Sequence, residues 1–73
     1  MDPVLERRLH LLYLAAKKEY KKFNIQYASR HITAAAIYCE KAGAEVPKRF
    51  VELAVKIVQA DYEASVLMST KLT

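Results

Sequence analysis

Cys39 is the only cysteine in this chain of 73 residues, and that one count removes the commonest staple of very small proteins. A chain this short buries only about 60% of the surface its unfolded form exposes, so its usual routes to stability are disulfides, a metal, a partner subunit or very regular helix packing. No intramolecular disulfide can form, and His10 and His31 beside Cys39 make no zinc-ligand set at a familiar spacing. Helix packing and self-association are left. One glycine, two prolines and 53% hydrophobic residues describe a compact helical chain rather than a disordered one, read as a single domain over residues 1–73.

Start and stop signals divide the chain. Asp2 is a good N-cap, Pro3 suits a first helical position and Glu6 favours the dipole of the first turn, so a first helix is predicted to run to about Lys22. Its apolar residues Leu5, Leu9, Leu12, Ala16, Tyr20 and Phe23 recur at steps of three and four and form one stripe facing the core. Leu11 and Leu14, with Val4, fall on the opposite side among basic residues. Phe23–Gln26 reads as a turn in which Asn24 ends one helix or caps the next. The second helix carries Ile25, Ala28, Ile32, Ala35, Cys39 and Ala42 on one face; these mostly small residues suit close packing, and Gly43 supplies the left-handed stop.

After a short connection, Pro47 restarts the chain as the first residue of a third helix. This helix shows water only a strip about 100° wide, through Glu52, Lys56, Gln59 and Glu63. Nearly everything else on it is apolar, so it is expected to be central or covered by another chain. Asp61 interrupts the apolar side, either as the N-cap of a separate last helix or as a buried carboxylate needing a partner. The fold class that follows is all-α: a three-helix bundle, or a four-helix one if Asp61 breaks the last segment, completed by self-association.

Several function classes are disfavoured. A chain with one glycine has no loop to cradle phosphates, and no metalloprotease, nucleotide-binding or calcium-binding motif is present. His10 and His31 are the only histidines, and three short helices rarely enclose a cleft in which they could act as acid and base, so the chain reads as non-enzymatic, with no cofactor and no metal. The longest apolar runs, Leu11–Ala16 and Ala34–Cys39, are six residues each, against about 20 for a membrane span. A lone cysteine, and a start interrupted by Asp2, Glu6, Arg7 and Arg8, point to the cytoplasm.

The net charge of +4 is uneven: residues 1–31 hold seven bases against three acids, whereas residues 32–73 balance. Lys17, Lys18, Lys21 and Lys22, interleaved with Tyr20 and Phe23, offer phosphate contacts and stacking surfaces within one and a half turns. Arg7, Arg8 and Arg30 extend the same basic character. A solvated lysine face beside a core stripe would show the same pattern.

The segments Ile32–Tyr38 and Val46–Ala54 resemble the paired signatures of the cyclin-like repeat in archaeal transcription factor B, at a similar spacing. That resemblance implies an alanine-rich central helix, a short loop and a third helix followed by a break, which Asp61 would provide. The final segment lacks that family's run of basic residues.

The function expected first is that of a nucleic-acid-associated accessory or regulatory protein, acting on DNA or RNA through Arg7, Arg8, Lys17, Lys18, Tyr20, Lys21, Lys22 and Arg30. The alternative is a protein-interaction adaptor or small assembly subunit. Its docking faces are Leu11 with Leu14 on the first helix, and Val51, Val55, Val58, Tyr62 and Val66 on the third. A homodimer through the valine face serves either reading.

Overall fold

The computed structural model describes residues 2–72, and of Thr70, Lys71 and Leu72 the backbone alone. It is all-helical: α1 spans Pro3–Lys21, α2 Ile25–Lys41 and α3 Lys48–Leu72. The first start signal is used as written. Asp2 accepts a hydrogen bond on Oδ1 from the Val4 backbone N–H at 3.0 Å, and Pro3 takes the first helical position, where a missing N–H costs nothing. At the other end of α2, Gly43 adopts φ 65°. Its N–H donates to the Glu40 carbonyl at 3.1 Å and that of Ala44 to the Cys39 carbonyl at 2.9 Å, the paired bonds of a Schellman motif.

The turn between α1 and α2 repeats this motif without a glycine. The N–H of Phe23 donates to the Tyr20 carbonyl at 3.0 Å and that of Asn24 to the Glu19 carbonyl at 2.9 Å. The left-handed position falls on Phe23, at φ 62°, a conformation that costs a bulky side chain about 1–2 kcal/mol. This corrects the expectation that Phe23 ends the core stripe. With α1 finished at Lys21, the reversed backbone turns the ring outward and leaves it 84% exposed. Asn24 precedes α2 but makes no side-chain cap bond to it; its Nδ2 donates instead to Glu19 Oε2 at 2.8 Å, tying the turn back to α1.

Small side chains set how the helices meet. Ala16 of α1 and Ala28, Ala35 and Cys39 of α2 are wholly buried, letting the two helices approach closely. Leu5 and Leu9 join Ala35, Cys39 and Phe50 in one cluster, while Ala16 and Ala28 join Leu53 and Ile57 in a second. Leu12, Tyr13, Tyr20, Ile25 and Ile32 pack on their edges. Ala42, expected on the buried face of α2, is exposed at the helix end.

Only the first part of α3 takes part in this core. Phe50, Leu53 and Ile57 are buried, whereas every residue from Asp61 to Ser69 is exposed. The helix is continuous through Asp61, so the expected break does not occur, and the described residues form no fourth helix. Near Asp61, α3 passes the start of α2, where Ile25, Gln26 and Ser29 face Ile57 and Val58 across an open groove. Beyond this point its inward side meets water, so the Asp61 carboxylate needs neither cap nor partner. Met68 is likewise exposed. The projecting helix stretches the molecule to 51 × 20 × 15 Å, and its radius of gyration is 14.2 Å, against about 11 Å for a compact chain of this length.

Candidate interaction surfaces

Tyr13 organises a basic groove. It is half-buried on the side of α1 that meets α3, and its ring lies edge-on to Phe50 with centroids 5.5 Å apart. Lys17 Nζ stands 5.6 Å from the centre of the Tyr13 ring and Arg49 Cζ 5.5 Å from it, so one aromatic ring gathers cations from two helices. Tyr20, Lys21, Glu52 and Lys56 complete the groove between α1 and α3. Its single acid, Glu52, lies 3.9 Å from Lys48, which draws its charge toward the rim. The groove therefore holds Lys17, Lys21, Arg49 and Lys56 around two tyrosines.

The eight residues expected to bind nucleic acid do not form one surface. Lys17, Tyr20 and Lys21 line this groove, while Arg7, Lys18 and Lys22 lie with Leu11 and Leu14 on the side of α1 away from the core, and all five are exposed. Arg8 lies over the ring of Tyr38 at 5.2 Å, bridging α1 and α2, and Arg30 covers Tyr27 of its own helix at 5.4 Å. Arg49 and Lys56 were not among the expected binding residues, because residues 32–73 balance in charge and Lys56 reads as part of a water-facing strip. Their spacing of seven, which places both on one face of a helix, was the available signal.

The second surface is apolar. Val51, Val55, Val58, Tyr62 and Val66 lie along one side of α3, between 45% and 70% exposed. Two shallow depressions follow this line, one between Val51, Ala54, Val55 and Val58, the other between Tyr62, Val66 and Leu67. Leu11 and Leu14 form a smaller patch on α1 and are also exposed.

The remaining reactive side chains are scattered. His10 is exposed, His31 half-buried and Cys39 a buried free thiol. Among the described residues no three His, Cys, Asp or Glu side chains converge on a metal position, and no helix is long and apolar enough to cross a membrane. Comparison of the chain with known protein families, curated proteins and solved structures finds no match.

Proposed function

We propose that this chain is a non-enzymatic assembly subunit of the cytoplasm, whose three helices are completed as a bundle by self-association through α3. The observation that carries this reading is the exposed stripe Val51–Val55–Val58–Tyr62–Val66. Single exposed apolar residues are ordinary, but a continuous apolar line on a soluble protein marks a contact surface. Helix propensity adds to it. Asp61, Tyr62, Ser65, Val66 and Ser69 are poor helix formers, and a helix end without tertiary packing is marginal in water. A second helix laid along the stripe supplies the missing packing.

Sedimentation equilibrium at micromolar concentration tests this. The parent chain is expected at more than single-chain mass, and Val55→Glu is expected to return it to single-chain mass while circular dichroism stays helical. A parent that sediments as one folded chain would defeat the reading.

A second reading, nucleic-acid binding, is favoured by the groove around Tyr13 rather than by the lysine run as a whole. Four cations beside two tyrosines suit a phosphodiester backbone with stacked bases. Changing Lys17, Lys21, Arg49 and Lys56 together to Gln should then abolish binding and its salt dependence, for which about four phosphate contacts to a single strand give a log–log slope near −3. Changing Lys18 and Lys22 to Gln should matter far less; equal losses from both sets would mean that the groove is not the site.

A further inference from the structure

We infer that the partner on α3 is the α3 of a second copy, running antiparallel, with the two-fold axis beside Val58. The inference rests on the reading of α3 as a self-association face and specifies its geometry.

The spacing of the stripe is nearly the same read in either direction. In an antiparallel pair, residues whose numbers have a constant sum face each other. Val51 then faces Val66 of the other copy and Val55 faces Tyr62, both pairs summing to 117, and the axis between positions 58 and 59 sets the two Val58 side chains next to each other. Each large apolar side chain finds another, and the bulky Tyr62 ring lies against a valine rather than a second ring.

Charge selects the same direction. The first part of α3 carries Lys48, Arg49 and Lys56 against Glu52, whereas the part from Asp61 to Ser69 carries Asp61 and Glu63 with no base. Antiparallel pairing lays the positive part of each copy beside the negative part of the other and opposes the helix dipoles; parallel pairing lays like on like. Lys56 and Glu63, seven residues apart, lie to one side of the stripe, beyond Glu52 and Gln59, which border it. In antiparallel helices like sides meet, so Lys56 of each copy lies on the same side of the pair as Glu63 of the other, and their attraction acts at longer range.

The stripe is about 22 Å long at 1.5 Å per residue, roughly two heptads. Such a contact is smaller than the ~800 Å² per partner of a standard interface, and the dimer is expected to dissociate on dilution.

Val51→Cys and Val66→Cys chains, one of them isotope-labelled, are oxidised separately and as an equal mixture, and the disulfide-linked peptides are identified by mass. Buried Cys39 is left in place. The expected result is that neither variant links to itself, while the mixture gives a disulfide from residue 51 of one copy to residue 66 of the other. Links of 51 to 51 and 66 to 66 would overturn the antiparallel direction and leave self-association through α3 standing. A dimeric mass with none of these links would place the contact on another face, and single-chain mass throughout would overturn the assembly reading with it.

Discussion

Two parts of one helix meet opposite fates in this molecule. From Lys48 to Ala60, α3 buries Phe50, Leu53 and Ile57 against α1 and α2; from Asp61 to Ser69 it carries Tyr62, Val66, Leu67 and Met68 into water. Both parts are rich in apolar residues at helical spacing. What separates them is position, because α2 begins at Ile25 and gives α3 nothing to pack on once it has passed. Periodicity tells which side chains share a face, but whether that face meets protein or water depends on the lengths and crossing of the neighbouring helices.

The sharpest test of this contrast uses large-to-small changes in each part. Phe50→Ala removes a wholly buried ring from the middle of the core and should cost about 3–5 kcal/mol, enough to unfold a domain this small. Met68→Ala, measured at a concentration where the chain is single, should stay within about 0.5 kcal/mol. Chemical denaturation of the two variants checks the pair, and comparable losses would mean that the far part of α3 folds back onto the core.

A proline placed in each part separates the helix from its support. Ala54→Pro, beside Leu53, should break the body of the protein, since an interior helical proline costs about 3 kcal/mol and displaces the turn that carries the core residues. Ala64→Pro should cost helical ellipticity for part of the projecting segment and leave the denaturation midpoint of the body nearly unchanged. It should also abolish self-association. A midpoint that falls equally in both would erase the distinction.

The smallest effect is expected at Asp61. Asp61→Asn should be nearly neutral and Asp61→Ala should stabilise by up to about 0.5 kcal/mol, through helix propensity alone. A loss above about 1 kcal/mol on Asp61→Ala, read by thermal or chemical denaturation, would restore a capping or paired role for this residue.

The helix ends that rest on dedicated residues were legible: Asp2 with Pro3, Gly43, and Pro47 just before α3. The small buried face of α2 could also be read from Ala28, Ala35 and Cys39. Phe23 could not, because a left-handed turn on an aromatic residue has no signature in composition, and the stripe of α1 continues to it at the right spacing. Asp61 was misread for the reason already visible in α3: an acid on the inward side of a helix is anomalous only where there is an inside. The groove around Tyr13 joins Lys17 to Arg49 across two helices, and such a pairing is set by docking rather than by neighbours in the chain.

The projection of α3 also governs how the molecule moves through a solvent. A particle of 51 × 20 × 15 Å tumbles and diffuses more slowly than a sphere of equal mass. On a sizing column a single chain therefore elutes early, at the position of a heavier compact protein, and imitates a dimer without forming one. Its rotational correlation time is lengthened in the same direction. For this shape, mass and friction must be separated before stoichiometry can be assigned, and an equilibrium sedimentation profile, which depends on mass and not on drag, is the observable in which the rod and the pair of rods differ.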